Sequence, residues 1–442
     1  MSSASGTYTD TSPAFKKRFL TRMFVVLIGG MFLDGYILGI IGPVSSMMAE
    51  DLGINAWWEG MIAAAALIGI LFGSPLGGWA ADRWGRKPLF IVDISLFTIA
   101  SAAQFFVDSP MHLLLVRLLM GIAIGCEYSV GWPLMSEFAP AHLRGRMIGA
   151  TQIAWYVGFM VAFLFGHLLV QYTNMGWRVI LGTSTFLALA LFLARLGLPE
   201  SPRWLWSVGR KDEARALAHR YMGADTFADV EHEDVARGSF GMLFSKQYWR
   251  ATLFVSGFWF CAVTPYFGIA TFADSVLQQY GLSGGLAGGV GLSAVAAAGV
   301  VFTVLVIDKV GRRVLTVPPQ WLCTVVLAII GLWAGAPPLV VLVLFLVFSF
   351  FNAMYNALTG VYPVEVLPTE IRGVGTGFAA AVSRLGAGAG TFLLPISMEH
   401  LGSSVTMLMA AAVAFAGAAL SQWLAPETKG LSLTEAAALY SH

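Results

Sequence analysis

The stretch "GWAADRWGRK" at 78–87 returns as "VLVIDKVGRR" at 304–313, with Val304 in the place of the leading Gly78. Two more pairs keep the same spacing. "EFAPAHLRG" (137–145) is matched by "EVLPTEIRG" (365–373), and "PESPRWL" (199–205) by "PETKGLS" (426–432). The offsets are about 226, 228 and 227 residues. One such match would carry little weight, but three at one offset describe a single unit duplicated in parallel. Two such units in a membrane are expected as halves related by an axis along the membrane normal.

Composition places these units in a bilayer. The 442 residues are 57% hydrophobic and only 12% charged, where a soluble domain carries roughly 25% charged residues. Apolar stretches long enough to cross ~30 Å of hydrocarbon lie near 22–46, 57–80, 88–107, 111–135, 147–170 and 177–197. A second set lies near 250–277, 284–307, 314–334, 338–362, 374–398 and 402–424. The one long polar segment separates the sets, and its "RKDEARALAHRY" (210–221) predicts an amphipathic surface helix. The expected architecture is all-α: twelve transmembrane helices in two pseudo-symmetric six-helix bundles. The expected divisions are a first bundle over 1–200, a linker over 201–249, a second bundle over 250–424 and a tail over 425–442.

Charge sets the orientation. Lysine and arginine cluster at Lys16–Arg22, Arg83–Lys87, Arg144–Arg146, Arg203–Arg250, Lys309–Arg313, Arg372 and Lys429, all on one side if the helices alternate. The opposite loops, near 47–56, 108–110, 171–176, 278–283, 335–337 and 399–401, contain neither residue. The positive-inside rule then puts both termini and the linker in the cytoplasm. The first apolar run has no small-residue cleavage site after it and is expected to be a retained helix. Cys126, Cys261 and Cys323 all fall in apolar runs, which argues against a disulfide framework. The basic clusters follow helix ends, so no nucleic-acid partner is expected. No phosphate loop, metal cluster or nucleophile–base pattern rises above chance, so neither an enzyme nor a metal or cofactor is expected.

"DRWGRK" with its second copy, "E..P...RG" twice, "PESPRWL" and "PETKG" resemble the major facilitator superfamily, and its sugar-porter-like branch in particular. The resemblance spans essentially the whole chain. It implies alternating access in the cytoplasmic (inner) membrane, with a small solute and protons as partners; a monomer is expected, since the two halves bury a complete interface within one chain. It also implies a cytoplasmic gate: Asp82, Arg83, Arg86, Glu137 and Arg144 in the first half, and Asp308, Arg312, Glu365 and Arg372 in the second. Glu137 with Arg144, and Glu365 with Arg372, are the expected ion pairs. The alternative is topogenic charge with solvated pairs worth about 0–1 kcal/mol each.

Charges inside the hydrocarbon cost roughly 2.5–3.5 kcal/mol on insertion scales and mark functional sites by default. Asp34 lies near mid-depth in the first apolar run and is the candidate proton carrier, with a static packing role as the alternative. Sugar porters carry that carboxylate after the glycine-tyrosine pair, where Ile37 stands here, one turn away. The helix-4 arginine that partners it in the family matches Arg117, so direct contact between Asp34 and Arg117 is left open. Glu127 is a second intramembrane carboxylate, read as proton site, cation ligand or structural partner. Arg178 and Arg195 lie near helix ends and are expected to snorkel.

For the solute, Arg384 lies where sugar porters keep a pocket-lining pair, and a guanidinium there would grip a carboxylate bidentately. A structural pair with Glu127 or Asp34 is its alternative. Gln152, Trp155 and Tyr156 stand in "TQIAWYVG", a stretch resembling the family's helix with a pocket glutamine. Trp259 and Tyr266 offer aromatic faces, and Asn352, Tyr355 and Asn356 offer hydrogen bonds from one helical face. The double glutamine and asparagine of sugar-porter helix 7 are absent, and Gly360 stands where the branch has a tryptophan, which disfavours a hexose. Val263 stands where phosphate symporters carry an acid, which disfavours phosphate. The expected function is proton-coupled symport of a small organic acid, an aromatic monocarboxylate among the candidates. The alternatives are an organic-cation or drug:proton antiporter, a sugar:proton symporter, and a transporter-like receptor that moves nothing.

Overall fold

The computed structural model describes residues 12–138, 141–222, 240–282, 286–431 and 433–440. Within them the chain is helical, with no strand. The first half comprises α1 (Pro13–Leu52), α2 (Ala56–Trp84), α3 (Arg86–Ala103), α4 (Pro110–Phe138), α5 (Ala141–Tyr172) and α6 (Trp177–Arg195). The second comprises α7 (Trp249–Thr271), α8 (Gly291–Val310), α9 (Arg312–Leu332) and α10 (Pro338–Asn356). The last segment, Thr369–Leu424, breaks at Gly402 (φ 80°, ψ 166°) into α11 (369–401) and α12 (403–424). Eleven apolar segments of spanning length, one of them double, give the twelve helices expected. Short helices at Pro202–Ser207 and Lys211–Tyr221 lie between the halves, the second on the "RKDEARALAHRY" stretch.

Local chemistry marks the boundaries. α1 opens with Ser12 accepting the Phe15 N–H at 3.2 Å ahead of Pro13, and closes on Gly53 in the left-handed region. Asn55 caps α2 through the Trp58 N–H. The turns of the duplicated motif are built alike. Gly85 (φ 99°, ψ 163°) joins α2 to α3, and Gly311 (φ 101°, ψ 163°) joins α8 to α9. Glu200 then accepts the N–H groups of Arg86 and Lys87, and Glu427 those of Arg312 and Arg313. The duplication seen in the letters is thus repeated in backbone dihedrals and caps.

Packing repeats as well: α1 lies along α5 and α2 along α4, just as α7 lies along α11 and α8 along α10. Large apolar side chains such as Phe72, Phe106, Phe186, Leu305 and Leu332 face outward, the inverse of a soluble surface and suited to lipid. The halves meet where α2 contacts α11 and α5 contacts α8. Away from the linker face, Trp57 packs edge-on against Phe392 at 6.2 Å, and Gly60 and Gly42 bring their helices against the backbone of Phe392 and Thr271. A cavity of about 410 Å³ opens there, lined by Asn55, Glu59, Ser275, Gln279, Pro395 and Glu399 among others.

Candidate transport site

Residues from five helices converge between the halves. Trp155 on α5 stacks on Phe159 and meets Phe267 of α7 edge-on at 5.7 Å. Tyr156 beside it tilts against Tyr266 of α7 at 5.8 Å and comes near Asn356 of α10. Tyr128 of α4 lies beside Trp155 and under the Arg384 guanidinium of α11, 5.5 Å from the ring centroid. Among the described residues no carboxylate lies within ion-pairing distance of Arg384. That guanidinium therefore rests on an aromatic face, with its N–H donors not committed to an acid.

The other expected site residues divide. Gln152 is half-buried one turn before Tyr156. Trp259 is buried on α7, two turns before Tyr266. Asn352 donates to the Ala262 carbonyl at 3.2 Å and to Tyr355 Oη at 2.6 Å, so Asn352 and the buried Tyr355 tie α10 to α7. Tyr128 and Phe267 were not singled out from the sequence, because one aromatic among many in an apolar helix carries no periodic signal.

The intramembrane charges are arranged differently from expectation. Asp34 is fully buried, and among the described residues neither carboxylate oxygen has a hydrogen-bond partner. Arg117 is not its partner: its Nε donates to the Ile62 carbonyl at 3.1 Å and its Nη2 to the Ile37 carbonyl at 3.5 Å. Arg195 does not snorkel. It is fully buried, with Nη2 on Glu127 Oε1 at 2.5 Å, Nη1 on Asp93 Oδ1 at 3.0 Å and its guanidinium 3.8 Å from the Phe90 ring centroid. A carboxylate on each side holds it in place of the lipid headgroup region. Glu127 thus pairs with Arg195 and not with Arg384. Arg178 does reach the surface, where it pairs with Asp51 at 2.7 Å. Asp93 was missed, although a lone acid in the third apolar run is itself the signal.

At the linker face, Arg312 pairs with Glu365 at 2.9 Å and with Asp308 at 3.3 Å. Arg372 does not pair with Glu365; its Nε donates to the Leu367 carbonyl, while Glu365 also accepts from Thr428. The described pairs therefore join helices within the second half. Arg83 is exposed, 5.8 Å from the Trp79 ring centroid, and Arg86 carries the capped N–H at the start of α3. The side chains of Asp82, Glu137 and Arg144 lie outside the described residues.

Twelve helices in two duplicated halves, converging on a buried polar and aromatic seam, define a membrane transporter of the major facilitator fold. Residues 22–440 match the family model "Sugar (and other) transporter", and the chain belongs to that family. It is 36% identical over 419 residues to the inner membrane metabolite transport protein YgcS of Escherichia coli, covering 95% of this chain and 94% of that one. It is 29% identical to the niacin transporter NiaP of Acinetobacter baylyi, covering 93% and 95%. The inward open structure of the xylose transporter XylE from Escherichia coli superposes with a TM-score of 0.79 at 20% identity, over 95% of this chain and all of that one. The protein is a multi-pass membrane transporter of the sugar and metabolite type, not an enzyme.

Proposed function

We propose that the protein is a proton-coupled symporter of a small organic acid, an aromatic monocarboxylate being the best fit. The observation that carries this reading is Arg384, a half-buried cation on Tyr128 beside the Trp155–Phe267 and Tyr156–Tyr266 contacts. A carboxylate would take its free donors bidentately, and a flat ring would stack among the aromatics. Asp34 carries the coupling proton. Rocking of the first bundle (1–200) against the second (250–424), with the linker and tail following, exposes the seam to each side in turn. The named charges at the linker face form the gate. Niacin, the substrate in the name of the Acinetobacter relative, is itself an aromatic monocarboxylic acid. A related solved structure is described as a proton:xylose symporter, which favours proton coupling and keeps sugar:proton symport as the second reading. The positive-inside pattern supports cytoplasmic termini, and the inner-membrane relative supports that membrane.

The test is uptake of labelled monocarboxylates, sugars and amines into proteoliposomes, with and without a proton gradient, by the wild type, Asp34→Asn and Arg384→Gln. Gradient-driven acid uptake that both substitutions abolish supports the reading. Sugar uptake, or exchange of amines for protons, with Arg384→Gln active would overturn it.

A further inference from the structure

Four ionisable side chains meet inside the first half: Asp34 on α1, Asp93 on α3, Glu127 on α4 and Arg195 on α6. Arg195 bridges Asp93 and Glu127, while Asp93 Oδ2 and both oxygens of Asp34 have no hydrogen-bond partner among the described residues. Asp34 feels the charges of Glu127, Arg195, Asp93 and Arg384. Helix 1 is shaped for this meeting. Gly30, one turn before Asp34 on the same face, lies so close that an added Cβ would overlap Glu127 Oε1 and stand 3.1 Å from Arg195 Nη2.

The charge count is unbalanced. Three buried carboxylates against one guanidinium would leave two net negative charges in the membrane, a state of high cost. The other elements around α1 do not correct it. α2 presents the Ile62 carbonyl to Arg117, which donates Nε and Nη2 to backbone oxygens and pairs with no carboxylate among the described residues. α5 presents Trp155 and Tyr156, and α7 Tyr266. Arg384 of α11 stands across the seam against Tyr128.

We infer that Asp34, Asp93, Glu127 and Arg195 form one proton-binding unit, in which Arg195 bridges Asp93 and Glu127 and Asp34 takes the exchangeable proton. Asp93 and Arg195 are positioning residues: they set how tightly Asp34 holds that proton. The inference deepens the proposed function and rests on its assignment of Asp34. It also replaces Arg117 with Arg195 as the counter-charge.

Difference infrared spectroscopy of the purified protein in nanodiscs, titrated with acid and without any solute, reads the carboxylic-acid C=O band directly. The wild type is expected to show a titrating band that Asp34→Asn removes. Asp93→Asn removes a repelling charge and should lower the band's midpoint by about one pH unit or more. Arg195→Lys weakens the bridge and should raise it, and Arg195→Gln should add a second protonated carboxyl. Arg117→Lys should leave the midpoint unchanged. A band that survives Asp34→Asn, or a wild-type midpoint in folded Asp93→Asn and Arg195→Lys, would overturn the inference. Failure of acid uptake with these shifts intact would strike only the substrate reading. Proton-driven uptake with unmoved midpoints would strike only the unit.

Discussion

Glu200 accepts the N–H groups of Arg86 and Lys87 at 3.0 and 3.1 Å, and Glu427, its counterpart in the second copy, accepts those of Arg312 and Arg313 at 3.0 Å each. Each carboxylate thus sits on the open N-terminus of the helix that follows the duplicated glycine turn, where orphan donors and the helix dipole favour negative charge.

This geometry gives Glu427 a definite pH signature. Burial alone would raise its carboxyl, but the N–H groups of Arg312, Lys429 and Arg313 outweigh burial and hold it below its ordinary value of 4.5. A depressed folded value means the stabilisation is present above the unfolded value and fades as pH falls through the folded one. Glu427→Gln should therefore melt earlier than wild type at neutral pH, by about 1 kcal/mol. The gap should close on acidification below 4.5, as pH falls through the depressed folded value; thermal unfolding in detergent at stepped pH would show it.

Helices 1 and 5 touch through glycine. A Cβ on Gly35 would strike the Trp155 carbonyl, and one on Gly158 the Phe32 carbonyl. Backbone cannot move aside as a flexible side chain can, so Gly35→Ala and Gly158→Ala should each cost about 1–3 kcal/mol. Gly176→Ala, with open space around it, should leave the melting temperature unchanged.

Tyr156 of the first half comes near Asn356 of the second. A neutral hydrogen bond formed between them in one conformer would contribute about 0.5–1.5 kcal/mol, so Tyr156→Phe should shift the balance between conformers several-fold. Site-directed fluorescence at the linker face, comparing Tyr156→Phe with wild type, would reveal the shift. An unchanged balance would mean that no such bond distinguishes the two conformers.

Arg384→Lys keeps the charge but loses the planar fork. Under the proposed function it should raise KM for the acid by about tenfold, the loss of about 1.4 kcal/mol, with maximal uptake little changed. Concentration-dependent uptake in proteoliposomes measures both.

Much of this was legible beforehand. The three repeat pairs and the apolar run lengths gave the two halves, because a membrane leaves few ways to satisfy the backbone. Charges at mid-depth stood out for the same reason: Asp34, Glu127 and Arg384 were conspicuous by cost. Arg195 was misread because its position near the end of an apolar run suggests an escape to the interface. The depth of an arginine side chain depends on what lies beside it, and here Asp93 and Glu127 from two other helices hold it inside. Arg372 was misassigned for a related reason: a carboxylate seven residues before it in sequence, Glu365, is claimed by Arg312 from α9.

The sequence by itself determined that this chain crosses a membrane twelve times in two copies of one unit, since length, hydropathy and repetition are properties of the chain alone. Only the tertiary structure decided which charge answers which. Glu127 and Arg195 come against α1, one turn from Asp34, because Gly30 lets that helix press against them. Arg117 turns to the carbonyls of Ile62 and Ile37, and Arg384 is left on Tyr128. Pairing among buried charges follows distances of a few ångströms between different helices, a quantity no single helix encodes.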